Sequence, residues 1–554
     1  MKKQILFLIM LMFCFISCKL QTEQEEFKIK IGNDSYVPSQ GDIVLDEKKS
    51  FESQITETGK TYIVRDSFDL NGRKVTFPEN ATFHFLGGCI SNGSITFSNT
   101  TITGYAKFTN CSYSGNLNND EIKFEWFDFS SSDTRLFQLS YSKNKYEKHD
   151  ITKLQQILDC CKSGTNIIVD KVYTLSAPLK IQKKLSFEGL DKSEGIYANL
   201  LQNLEYGFVV MNNNTAFIVE NGGDVSMTGI SVVGNMGLYI GGALWEKEYT
   251  NGTPLKTPLS LAGIEVQKGG KITSVLNSSF VAFTYGIKSE GGTIGLIRNS
   301  YCSSCRYGFW AKDTSNFECR GCRFNTNELN FHFYEKDADS VKDNKTPITQ
   351  SSGDQIYRVG GGVYVENCQN ANFNKCRFEF NFIHAIVKGS GKNVTFEGCI
   401  FDTGTISQVM VYNDGDAVTS PAMDNITFSN STFARGARCD IQGQTSVSGY
   451  SILYVHDKNN RGSNINFLNN IVSDDMEVDK SIDVVYEENI FLIHNTSTEN
   501  TNLTVKNNSF ISGMAKNVYK SVDGSSGTFN ITASGNNYGT MNVIKDDSNI
   551  LILK

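Results

Sequence analysis

Arg306, Lys312, His332, Tyr334 and Glu366 bring two cations, an imidazole, a phenol and a carboxylate into one stretch of the chain. Lys288, Trp310, Glu335 and Tyr364 lie in the same stretch and add aromatic faces and further charge. Together these groups match the needs of β-elimination from a uronic-acid polymer. That reaction requires a cation to stabilise an enolate-like intermediate, a base for the C5 proton and an acid for the leaving oxygen. Lys312, Arg306 or Arg358 is the candidate cation, His332 or Lys288 the base, and Tyr334 or Tyr364 the acid. Trp310, Tyr364, Lys288 and Glu335 are candidates for holding the sugar. Hydrolysis would instead need two carboxylates facing each other across the bond. Glu335, Glu366, Asp337 and Asp414 are available for that. The solvated outer face of a sheet presents the same residue types, so neither set is unique.

Side chains can cooperate only if the backbone aligns them. The residues above fall in short runs: "YGIKSE" (285–290), "YGFWAKD" (307–313), "LNFHFYEKD" (329–337) and "GGVYVEN" (361–367). Further runs follow as "HAIVKG" (384–389), "QVMVYND" (408–414) and "SILYVHD" (451–457). Read as strands, each sends alternate side chains outward. Ile287, Phe309, Phe331 and Val363 would face in. Lys288, Trp310, His332 and Tyr364 would face out, followed by Glu290, Lys312, Tyr334 and Glu366. Stacked about 4.8 Å apart, they would form a ladder of aromatic rings and charges.

Between these runs a phrase recurs: apolar, any, Asn/Gly/Lys, small, any, apolar. It reads "VLNSSF" at Val275, "CRGCRF" at Cys319, "FNKCRF" at Phe373, "FEGCIF" at Phe396, "FSNSTF" at Phe428, "FLNNIV" at Phe467 and "VKNNSF" at Val505. Further copies stand as "FSNTTI" at Phe97 and "MTGISV" at Met227, with a degenerate one, "ASGNNY", at Ala533. Val275 to Cys319 spans 44 residues, two coils of 22. A short β-rich phrase at that period marks a solenoid. The middle of the phrase makes a tight bend, where Asn tolerates left-handed backbone and its amide can bond to the next coil. No coil buries its apolar face alone, so the phrase must repeat.

The pattern resembles the right-handed parallel β-helix of the pectin-lyase-like superfamily, over roughly residues 150 to 540. The resemblance implies an all-β solenoid with coils of about 22 residues, an N-terminal capping helix at 150–162 and a leading β-rich region. It does not select an activity, because that fold hosts lyases, hydrolases, epimerases and adhesins. The polygalacturonase motifs of the superfamily are missing apart from Asp-Asp at Asp474–Asp475 and Asp546–Asp547. The Arg-x-Pro-x-x-Arg of pectate lyases is also missing.

Cys322, Cys376 and Cys399 occupy the small slot of the phrase, where a buried Cys acts as a small hydrophobe. "CSSC" (Cys302, Cys305) and "CRGC" (Cys319, Cys322) also resemble a zinc knuckle. A disulfide or a metal site therefore stands beside packing as an alternative.

The chain has 554 residues, 48 Gly, 7 Pro and a net charge of −7, which argues against nucleic acid as the main partner. Lys2, Lys3, the apolar run Ile5 to Ile16 and Ser17–Cys18 resemble a bacterial lipoprotein signal. The acidic tether after it is similar to that of Bacteroidetes surface lipoproteins. The resemblance implies cleavage before Cys18, lipidation there and a place in the cell envelope. Residues 1–17 are then signal, 18–35 tether, 36–125 a β-rich region, 126–200 a capping segment and 201–554 the β-helix. The expected protein is a monomer without a cofactor, calcium on groove carboxylates being left open. Its expected partner is a polysaccharide, and its activity elimination, with glycan binding or adhesion and glycoside hydrolysis as alternatives.

Overall fold

The computed structural model describes residues 39–134, 136–139, 145–190, 206–235, 238–239, 260–325, 327, 361–381, 383–404, 407–413, 423–434, 451–457, 462–474, 489–495, 500–512, 517–521, 528–545 and 551–553. The signal and the tether, with Cys18, lie outside them. Two compact units divide the chain. The first holds residues up to Asn119 with Glu125–Asp128 and Asp159–Cys161, and the second holds the rest.

In the first unit, alternating apolar residues build a sheet whose strands all pair in parallel, among them Thr61–Val64, Thr82–Phe85, Cys89–Gly104 and Phe108–Leu117. Phe77, Phe83, Phe97, Phe108 and Tyr113 fill its core.

The second unit is a parallel β-helix. Among the described residues, three parallel sheets of 14, 11 and 12 strands run along it. Successive strands of the chain enter successive sheets, so each coil visits all three. The 14-strand sheet already contains Glu121–Lys123, Thr165–Val169 and Lys184–Gly189. Coil stacking therefore begins before residue 201, the boundary expected from the sequence. There the chain passes from Thr165–Val169 into Val172–Leu175 through Asp170 and Lys171, a turn without the phrase. The helix spans Ile151–Cys160, and the Asp150 carboxylate accepts the Thr152 N–H at 2.9 Å as its N-cap.

The phrase has one conformation at every copy. Its third residue is left-handed at Asn277, Asn299, Gly321, Lys375, Gly398, Asn430, Asn469 and Asn507, with φ from 49° to 61°. Asn299 belongs to "IRNSYC", a copy that the sequence reading passed over. The bend turns the chain from the 14-strand into the 11-strand sheet. Its apolar ends point inward and stack, as in Phe373 on Phe396 (4.6 Å) and Phe378 on Phe401 (4.8 Å).

The fourth residue is buried, and its N–H faces along the stack. A side chain one coil on must accept it. Ser278 N–H donates to Ser300 Oγ, 22 residues on, and Cys399 N–H to Ser431 Oγ. Ser431, Asn470 and Asn508 N–H groups donate to the Oδ1 of Asn470, Asn508 and Asn536. Asn508→Ala removes the acceptor of a buried N–H and the donor to Phe467 O. We expect a loss of about 1–3 kcal/mol in urea unfolding, and a smaller loss for Asn508→Ser, which keeps an acceptor.

Cysteine fills the same slot by donating instead. Cys322, Cys376 and Cys399 Sγ lie 3.4, 3.3 and 3.4 Å from the carbonyls of Ile297, Cys319 and Phe373. Cys302, Cys305, Cys319 and Cys322 are all buried and free, and burial pushes each thiol well above its usual range. Among the described residues no group of three or more His, Cys, Asp or Glu side chains is placed to hold a metal ion.

Candidate functional site

The outward face of the 12-strand sheet carries Lys288, Trp310, Lys312, Tyr364 and Glu366. Its strands include Ala262–Val266, Tyr285–Glu290, Tyr307–Lys312, Gly361–Glu366, Ile383–Lys388, Ser407–Asn413 and Ser451–Asp457. Ile287, Phe309 and Val363 are fully buried and register-paired, which sends Lys288, Trp310 and Tyr364 to the other side.

One expected rung does not stand in this ladder. Tyr307–Lys312 pairs directly with Gly361–Glu366, Trp310 opposite Tyr364 and Lys312 opposite Glu366. No strand comes between them, so Phe331 and His332 do not fill that place. His332, Tyr334 and Glu335 lie outside the described residues, as do Asp337, Arg358 and Asp414. Arg306 corrects a second expectation. It precedes its strand, with its guanidinium 5.5 Å from the Tyr307 ring centroid. Lys312 closes the same strand six residues on, roughly 20 Å away at a strand's rise. The two do not converge.

What does converge is a row of charges. Glu366 Oε1 lies 3.7 Å from Lys312 Nζ and 3.6 Å from Lys388 Nζ. The Tyr364 hydroxyl donates to Glu366 Oε2 at 2.6 Å. The side chains of Lys312, Glu366 and Lys388 are 33%, 16% and 12% exposed. These three groups sum to one positive charge, and the exposed Glu290, opposite Lys312 on the preceding strand, brings the row to neutral. Lys388 was missed from the sequence, although "HAIVKG" places it in the slot held by Lys312 and Glu366. The row continues into Tyr412 and His456, paired in register and packed edge to face at 4.9 Å.

The aromatic row beside it is not a set of open platforms. At the spacing of neighbouring strands rings stack on each other. Trp310 lies parallel to Tyr364 at 5.8 Å and tilted to Tyr285 at 5.7 Å. Tyr364 is 4% exposed. Lys288 is engaged as well, 2.8 Å from Glu265 and 5.9 Å from the Trp310 ring centroid.

His384 faces the interior of the coil, beside the stacked rings of Phe378 and Phe401, with Nδ1 3.0 Å from Asn381 Nδ2. Burial lowers its pKa from 6.5 to about 3. The unfolded chain therefore takes up a proton that the folded chain refuses. Stability should fall as pH drops from 6.5 toward 3, by up to about 1.4 kcal/mol per pH unit. Urea unfolding across that window should show a shallower slope in His384→Gln.

Comparison with known proteins agrees with the architecture. The family model described as "Right handed beta helix region" matches residues 262–433. The second unit is thus a parallel β-helix, and residues 262–433 match the right-handed form of that architecture. No curated protein matches the sequence. Solved structures similar to it include an alginate lyase from Paenibacillus sp., at 11% identity over 72% of this chain and 96% of that one, with a TM-score of 0.26. A tailspike capsular polysaccharide depolymerase of an Acinetobacter baumannii bacteriophage is 12% identical over 68% of this chain, with a TM-score of 0.27. This chain spans about half, 52%, of that one. A Family 28 exopolygalacturonase from Yersinia enterocolitica is 10% identical over 93% of this chain and 77% of that one, with a TM-score of 0.20. Likeness at this level bears on neither substrate nor site.

Proposed function

We propose that the protein acts on an acidic polysaccharide by β-elimination at the Lys312–Glu366–Lys388 row. The observation that supports this reading is the single carboxylate held between two lysines and hydrogen-bonded to a tyrosine. A uronate carboxylate would pair with the two lysine ammonium groups, which would stabilise the enolate-like intermediate. Glu366 accepts the C5 proton while the Tyr364 hydroxyl gives its proton to the leaving oxygen. The proton on Glu366 then returns to the Tyr364 phenolate along their hydrogen bond. Both groups act from one face of the sugar, a syn elimination. The test is the ultraviolet absorbance of unsaturated uronic ends, with pectic, alginate and glycosaminoglycan polymers, with and without calcium.

A second reading, glycan binding without cleavage, is favoured by the burial of Tyr364 and its stacking on Trp310. Under it no unsaturated ends or reducing sugar form, yet a polymer gel retains the protein.

We further place the protein in the cell envelope, anchored through lipid on Cys18. Labelled palmitate should enter the wild-type chain in a bacterial host and be absent from Cys18→Ser. Equal labelling of both would overturn the anchor.

A further inference from the structure

The two coils that supply Lys312 and Glu366 also carry an arginine pair on a different sheet. After Lys312 the chain bends at Gly321 into the strand Arg323–Asn325, and after Glu366 it bends at Lys375 into Arg377–Glu379. These strands pair in the 11-strand sheet, Arg323 opposite Arg377 and Asn325 opposite Glu379. Phe324 and Phe378 point inward and stack at 5.2 Å, which puts the residues on either side of them on the outer face.

Like charges directly opposed on a sheet repel each other. Here one carboxylate holds both. Glu379, 4% exposed, is ion-paired with Arg323 Nη2 at 2.5 Å and with Arg377 Nε. A carboxylate buried to that degree needs paired cations, so the three side chains fix one another. The arginines are not used up by this. Arg377 engages Glu379 through Nε, and its side chain is 50% exposed. Arg323 is 35% exposed and lies over the Tyr301 ring, 5.8 Å from its centroid. The next strand sets Asp402 opposite Glu379, where it accepts the Thr403 hydroxyl; with Lys375, exposed at the bend, the group still sums to one positive charge. A planar guanidinium held on a rigid strand is suited to two-point recognition of a carboxylate or sulfate. The overall charge of −7 disfavours a long phosphate backbone as the ligand.

We propose that Arg323 and Arg377, positioned by Glu379, form a second anion site that takes a carboxylate or sulfate ester of an anionic polysaccharide. The ligand class rests on the function proposed above. The site itself does not use the Lys312–Glu366–Lys388 row. It holds a polymer on the same two coils without taking part in cleavage.

The test is electrophoresis through gels containing polygalacturonate, chondroitin sulfate or a neutral β-glucan. The Arg323→Gln/Arg377→Gln/Glu379→Gln triple variant removes all three charges without stranding a buried carboxylate. Arg377→Lys keeps the charge and loses the planar fork. Thermal melts confirm that both fold. We expect the triple variant to lose about tenfold or more of its affinity for an anionic gel, Arg377→Lys to lose less, and mobility in the neutral gel to stay unchanged. Turnover of a short uronate oligosaccharide should match wild type. Undiminished retention of the triple variant overturns the site, as does an equal loss in the neutral gel. If wild type neither binds nor cleaves any anionic polymer, the polysaccharide reading fails. Calorimetric titration with inorganic sulfate then decides the site alone. Binding by wild type that is lost in the triple variant supports it, and no binding by wild type sinks it.

Discussion

Glu366→Gln should lower turnover of an acidic polymer by about 10²–10⁴-fold, the range for losing a positioned proton acceptor. Three interactions change at once. The proton acceptor is lost, the Tyr364 hydroxyl no longer donates to a charged oxygen, and Lys312 and Lys388 lose their shared counter-charge. The last change gives the experiment a second readout. The row's net charge rises by one positive unit, so an anionic polymer should be retained more tightly while it is cleaved more slowly. A residue that only supported the local structure would weaken both. Initial rates of unsaturated-end formation, set beside retention in a polymer gel, separate the two cases. Tighter retention with unchanged rates would move the proton chemistry away from Glu366. The pairing also implies that Lys388→Ala weakens binding of charged polymers and spares neutral ones.

Phe396→Ala should cost about 3–5 kcal/mol, the range for emptying a buried aromatic site. Phe396 is fully buried in a column of rings, 4.6 Å from Phe373 and 5.1 Å from Phe428. It also packs at about 6 Å against Phe378 and Phe401 of the neighbouring strands. The rings above and below belong to the adjacent coils, so truncation weakens both interfaces of one coil. In a solenoid those nearest-neighbour interfaces carry the stability. Equilibrium unfolding in urea should show the full loss, with Phe396→Leu losing less because it keeps most of the volume. A cost under about 1 kcal/mol would mean that the column closes over the gap.

The column and the bend were legible because both are local. In "FNKCRF" and "FEGCIF" the order apolar, bend, small, apolar fixes which side chains turn inward, and Lys375 and Gly398 take the left-handed backbone that the third position demands. The thiols in the fourth position suit the same geometry, since the slot is buried and a thiol there can donate to a carbonyl of the preceding coil. The strands of the 12-strand sheet were also readable, "YGIKSE" in full as Tyr285–Glu290 and "HAIVKG" within one residue as Ile383–Lys388.

Which outward residues meet was not legible. Two neighbouring strands can be separated by any length of chain, and nothing in a strand's own sequence says which partner it takes. Asn327 N–H donates to Asn381 Oδ1, 54 residues on, where the uninterrupted coil needs only 22. Even spacing of the runs sets His332 between Trp310 and Tyr364, and Tyr334 between Lys312 and Glu366. The pairing of the two strands instead brings Glu366 against Lys312 and, one strand further, against Lys388. The same spacing decided the aromatic row: rings on adjacent strands are close enough to cover each other, so Trp310 and Tyr364 stack together. By itself the sequence determined the coil, its bend and the inward column, because each depends on neighbours along the chain. The charged row was decided by tertiary pairing, because it depends on neighbours across an inserted length of chain.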